Sequence, residues 1–207
     1  MFKFLPVIVI TLGSFHALAQ SKIDSLEKVL TIITNDSLKV YTYLHLRAAY
    51  HRIDQQKALE YTLKAEALAK EAGLTSSLGE AKYRKGTVLL TMSVYDQAEI
   101  EFQEALKIFK SLGSKKGIVS VKIDLARLQQ IQSKTEEAIS LFFEAIPLTQ
   151  QIDDRNAEAR IYNYLGESFK IQRQYDKAIM HYELALELVK ELDFEPGISA
   201  CLANLGA

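Results

Sequence analysis

The stretch DQAEIEFQEALKIFKSL, Asp96–Leu112, decides how this chain is read. Ala98, Ile100, Phe102, Ala105, Leu106, Ile108 and Phe109 recur at a spacing near 3.6 residues, so one stripe is apolar and the rest is polar. That pattern makes an amphipathic helix. The same frame recurs along the chain. Ala58, Ala98, Ala138 and Ala178 stand 40 residues apart, and Ala65, Ala105, Ala145 and Ala185 each follow seven residues later. Between the paired alanines lie Thr62, Phe102, Phe142 and Tyr182, and twelve residues before each first alanine lie Leu46, Gly86, Ala126 and Gly166. Four registers held over four copies without an insertion mark an all-α solenoid, a stack of units none of which buries its apolar face alone.

Helix packing explains the spacing. An alanine lets a facing helix approach, the large residue between the alanines fills the space beside it, and the Gly or Ala of the preceding segment marks the crossing point. Each repeat is therefore two antiparallel helices. In the second copy they are expected over about 76–92 and 96–112, joined by Ser93-Val94-Tyr95. Asp96 with Glu99, and Ser133 with Glu136, have capping-box spacing, and Gly73 and Gly113 stand where second helices should end. Pro147 falls inside a second helix and predicts a kink, because its ring clashes with the carbonyl of Phe143. Ile23, Leu26, Val29, Leu30 and Ile33 lie at helical spacing and predict a helix that caps the first repeat.

These residues resemble the tetratricopeptide-repeat (TPR) family. The fourth copy matches its pattern best, through Tyr162, Leu165, Gly166, Phe169, Ala178, Tyr182 and Ala185. The second departs at Lys85, where leucine is usual, and the first at Leu46 and Thr62. The period of 40 exceeds the family's usual 34, and the usual late proline is replaced by Lys110 and Lys190. Asn204-Leu205-Gly206 looks like the Asn-Leu-Gly opening of a long-repeat, bacterial exported subgroup. The resemblance implies a right-handed superhelix with repeats at 36–75, 76–115, 116–155 and 156–195, after a capping segment at 20–35. Residues 196–207 read as the first helix of an incomplete fifth repeat. Cys201, Leu202 and Leu205 would lie uncovered on it, so a fragment of a longer protein is expected.

The first residues read differently. Lys3 precedes an apolar run from Leu5 to Leu12, and Ala17-Leu18-Ala19 has the small-x-small form of a signal-peptidase site. The run is shorter than the roughly 20 residues of a membrane span, so residues 1–19 are expected to be a cleaved signal peptide of an exported protein, periplasmic or extracellular. Removing Lys3 leaves 24 basic residues against 26 acidic. That balance gives no basic face for nucleic acid. A membrane is expected only through a segment beyond Ala207. Cys201 is the sole cysteine, so packing alone holds the fold.

No phosphate loop, nucleophile elbow or paired-cysteine motif is present. His45 and His51 are six residues apart and fall on different helix faces, and His181 stands alone. The chain reads as a non-enzyme that needs no cofactor or metal. By resemblance, the first helix of each repeat lines a groove that takes a protein or peptide. The residues carried over are Tyr43, Arg47, Tyr50 and His51, then Glu80, Tyr83, Thr87 and Leu90. The third copy gives Ile123, Arg127 and Gln130, and the fourth Arg160, Asn163, Glu167 and Lys170. The Lys-Asn clamp that some family members use for a chain-terminal carboxylate is missing, since Tyr43, Arg47, Tyr83 and Thr87 hold its positions. An interaction scaffold is the first expectation. The second is the sensor region of a membrane-bound signalling protein, such as a sensor histidine kinase or a tethered transcriptional regulator.

Overall fold

The computed structural model describes residues 20–206, so the expected signal peptide at 1–19 lies outside the described residues. All regular structure among them is helical. Helix α1 covers 20–32, α2 Asp36–Tyr50, α3 Gln55–Glu71 and α4 Thr75–Thr91. Then come α5 Tyr95–Ser111, α6 Lys115–Ile131, α7 Thr135–Gln151, α8 Arg155–Ile171, α9 Tyr175–Glu191 and α10 Glu195–Leu205. They form two compact units, α1–α4 and α5–α10.

Helices α3 to α9 are each 17 residues long, and a three-residue link follows each of them. One position in each link has a positive φ: Gly73, Ser93, Gly113, Ser133, Asp153, Arg173 and Asp193, at 20-residue intervals. The next N–H reaches back to close the helix end, as Val94 does to the Leu89 carbonyl, Ser114 to Phe109 and Gln174 to Phe169, each at 2.9 Å. This is the Schellman arrangement, which satisfies carbonyls that a helix end leaves open. The 40-residue period is thus two equal helix-plus-link modules.

The expected helix bounds of the second copy are corrected by one residue, and its link is Met92-Ser93-Val94. The capping boxes are corrected too. Ser133 is the left-handed residue, Lys134 takes the cap position without a side-chain bond, and Asp96 lies inside the first turn of α5. Side-chain caps form elsewhere: Asn35 accepts from the Leu38 N–H, Asp54 from Lys57, Ser114 from Gly117 and Asp154 from Ala157.

In the α5–α10 unit the crossing expected at Gly166 is present. A Cβ there would stand 2.5 Å from the Tyr182 ring, so α8 and α9 touch at van der Waals distance. Phe142 is fully buried between Ala138 and Ala145, in a class of site where truncation to alanine costs about 3–5 kcal/mol. Helix α7 continues through Pro147. Cys201 is not uncovered: it is buried against Ala185, Leu188 and Val189, whereas Leu202 is exposed.

In the α1–α4 unit the sizes at the crossing are exchanged. Leu46 replaces the small residue and Thr62 the aromatic, and both are fully buried. Lys85 joins Lys82 in clasping Glu66 of α3, at 2.9 and 2.8 Å, and these bonds hold its carboxyl below the usual range although burial pushes it up. An ion pair thus replaces the leucine of the repeat pattern. Helix α1 packs Ile23, Leu26 and Leu30 on this unit, while Val29 of the expected apolar face is exposed.

The links set a stability test. Gly113→Ala adds a methyl that meets nothing within 4 Å, yet it is expected to lower stability by about 1–2 kcal/mol through its left-handed backbone. Arg173→Gly should hold stability or raise it by up to about 1 kcal/mol, because glycine adopts that conformation freely. Urea midpoints of the two variants measure this, and equal losses would sink the account.

Candidate functional site

The groove candidates separate when placed in the structure. In the α1–α4 unit, Tyr50 is buried and Tyr43 half-buried. The Tyr50 ring stacks on Tyr61 of α3 at 5.6 Å and 13°, and the Tyr43 ring lies 6.2 Å from Tyr61. The Tyr61 hydroxyl donates to Glu27 of α1 at 3.0 Å, and Tyr50 reaches the same carboxylate at 3.4 Å. These two tyrosines join helices. Tyr83 is buried with the Arg84 guanidinium 4.8 Å from its ring centre, and Thr87 bonds the Arg84 carbonyl. Arg47 is buried as well.

In the α5–α10 unit, α6 and α8 bring three candidates together. Arg127, Gln130 and Glu167 line a shallow cleft of about 390 Å³ with Ile131, Tyr164 and Ile171. Arg127 donates to Asp124 at 3.2 Å and lies 5.4 Å above the Tyr164 ring. That ring stacks on buried Phe142 at 5.6 Å and 17°, and Gln130 bonds the Tyr164 carbonyl and the Ser168 hydroxyl at 3.1 and 2.7 Å. The aromatic floor is therefore held from below and from the side. Asn163 stands beside the cleft, donating to Glu167 and accepting from Asn204. Arg160 and Lys170 are exposed and do not line the cleft.

Burial acts on the charges here. It works against the Arg127 cation, but Tyr164, Asp124 and Glu167 outweigh it, and its pKa is raised. At Glu167 burial dominates over the attraction of Arg127, Asn163 and Lys170, and its pKa is raised. Tyr164, Ile131 and Ile171 were missed by the carried-over pattern. The repeat itself marked two of them: Ile131 and Ile171 are 40 residues apart, and both stay exposed at helix ends.

The remaining histidines pack. His181 is buried on Phe169 at 5.2 Å and Tyr162 at 5.9 Å, and His45 lies 4.2 Å from Tyr41. Among the described residues no group of three His, Cys, Asp or Glu side chains could hold a metal. No described helix is long and apolar enough to cross a membrane.

No family model matches the sequence, and no curated protein matches it significantly. Solved structures do match. A Rap protein complexed with competence and sporulation factor superposes with a TM-score of 0.81 at 14% identity, over 92% of this chain and 55% of that one. The Rap conjugation gene regulator of a plasmid, in complex with the Phr* peptide, gives 0.76 at 19% identity, over 91% and 54%. A signal-transduction ATPase of Pyrococcus horikoshii with a tetratricopeptide repeat sensor gives 0.78 at 16% identity, over 95% and 31%. The chain thus has the all-α fold of tetratricopeptide-type helical repeats, and it spans about half the length of the Rap proteins it resembles.

Glu167 supplies a pH test of the cleft. Its raised pKa means that the folded state resists ionisation, so its contribution is present below about pH 4.5 and is lost as pH rises through the folded value. Glu167→Gln should therefore melt increasingly above the parent chain between pH 4.5 and 7. A constant difference across that range would place the carboxyl in ordinary solvent.

Proposed function

We propose that this chain is a helical-repeat module that binds a peptide or a protein segment in the cleft between α6 and α8. The observation that carries the reading is the lining itself. A braced tyrosine ring, two exposed isoleucines and a charged pair share one open surface, and binding hot spots combine such aromatic and arginine anchors with apolar contact. The Rap structures in complex with competence and sporulation factor and with the Phr* peptide support the reading, although they are longer than this chain.

We infer export as well, from the charged start, apolar run and Ala17-Leu18-Ala19 at the N-terminus. The long repeat and Asn204-Leu205-Gly206 support placement in the exported long-repeat subgroup. An extracytoplasmic sensor region of a signalling protein is the second reading, favoured by the likeness to an ATPase with a tetratricopeptide sensor. An apolar run of about 20 residues encoded beyond Ala207 would support it. Amino-terminal sequencing of the exported product tests cleavage after Ala19.

Ile131→Ser with Ile171→Ser removes the apolar wall while leaving the buried core intact. Partner capture by immobilised protein should fall at least tenfold, with the melting temperature within a few degrees of the parent. Capture that survives the double substitution would move the binding surface elsewhere.

A further inference from the structure

His181 is 5% exposed, and its Nδ1 is buried without a hydrogen-bond partner. Its ring lies parallel to Phe169 of α8 at 5.2 Å and 6°, and on Tyr162 at 5.9 Å and 22°. Phe143 of α7 meets it edge-on at 6.0 Å. One imidazole thus ties α9 to both neighbouring helices. The repeat does not require it, because Leu141 holds the same position 40 residues earlier and Gln129 stands where Phe169 does. The groups around His181 favour the neutral ring. From α7 it meets Phe143, which carries no charge. On α8, Tyr162 turns its hydroxyl to Glu158, which Gln150 of α7 also holds at 2.8 Å. On α9 itself Lys177 stands one turn back, and its ammonium lies 5.3 Å from the centre of the Phe169 ring. A proton on His181 would put two cations against one ring, with no acceptor at Nδ1. Burial first, and then Lys177, lower the His181 pKa.

We propose that His181 is an acid-triggered latch: in a mildly acidic medium it takes up a proton, leaves the stack of Phe143, Tyr162 and Phe169, and opens α9 from α7 and α8. The closed state excludes the proton, and the open state accepts it near the ordinary histidine value of 6.5. Closure is therefore complete above that pH and is lost as pH falls below it, toward the lowered value of the closed state. With one proton taken up, the open population rises at most about tenfold per pH unit. The latch also stands behind the cleft. Tyr162 and Phe169 are seven residues apart and share one side of α8, while Glu167 and Ile171 occupy the other. Opening α9 withdraws the support of the helix that carries that wall.

Hydrogen exchange of the full chain at about pH 7.5 and about pH 5.5, corrected for the intrinsic rate at each pH, tests the latch. Protection of α9 and α10 should fall roughly three- to tenfold at the lower pH, while that of α5 and α6 holds. His181→Phe keeps a ring in the stack without a titrating group, so its α9 protection should be equal at the two pH values. Lys177→Glu sets a counter-charge one turn from the imidazole and should cut the acid loss several-fold. Lys177 is exposed, so this variant decides the matter should His181→Phe fail to pack. The proposal is overturned by equal α9 protection of the parent at the two pH values, or by a loss spread evenly over α5 to α10. An acid loss as large as the parent's in either variant overturns it as well.

Discussion

The left-handed residue that recurs every 20 positions is the constraint from which the rest of the structure follows. It lets the chain reverse within three residues while the last carbonyls of each helix keep their hydrogen bonds. Five of the seven positions are not glycine, and each pays about 1–2 kcal/mol in backbone strain. Two turn-closing hydrogen bonds, worth roughly 1 kcal/mol each, offset it. Because all links have one length, all helices from α3 to α9 have one length. Residues 40 apart therefore occupy equivalent places on the corresponding helices of successive repeats. That equivalence puts Ile131 level with Ile171 and Arg127 level with Glu167, and it explains why the repeat is longer than the usual 34.

Much of this was legible in the residues. The paired alanines, the aromatic between them and Gly166 opposite Tyr182 follow from volume alone, and volume can be read from a residue's name. Gly73 and Gly113 disclosed two links for the same reason. Ser133 did not, because serine caps a helix as readily as it enters a turn, and only the backbone conformation distinguishes the two. Tyr43 and Tyr50 are ambiguous for another reason. A tyrosine offers a large ring and a polar tip to either a ligand or a neighbouring helix, and here Tyr61 of α3 meets both rings while Glu27 on α1 takes the Tyr50 hydroxyl. Nothing within α2 announces that acid. Lys85 shows the converse, since it reads as a defect until Glu66 is placed opposite.

The two units handle charge in different ways. At the cleft of α6 and α8, Arg127 is surrounded by groups that favour it, and the carboxyl of Glu167 bears the cost of burial. On α2 the cost falls on Arg47, whose neighbour Arg84 has taken the Glu80 carboxylate. Apolar surface and an aromatic platform are present in the first case and a guanidinium short of a counter-ion in the second. Both sit on the first helices of their repeats.

The exchange of sizes between Leu46 and Thr62 bears on how such a chain can change over time. Repeats look like interchangeable cassettes, and duplication or recombination could shuffle them at any equivalent point. A breakpoint inside a pair would not be tolerated here. Joining the first helix of the opening repeat to the second helix of the fourth would set Leu46 against Tyr182, where only a glycine now fits. The reverse union would leave a glycine facing a threonine and an empty core. Inheritance of these helices is therefore tied two by two, and the unit of exchange is the whole repeat.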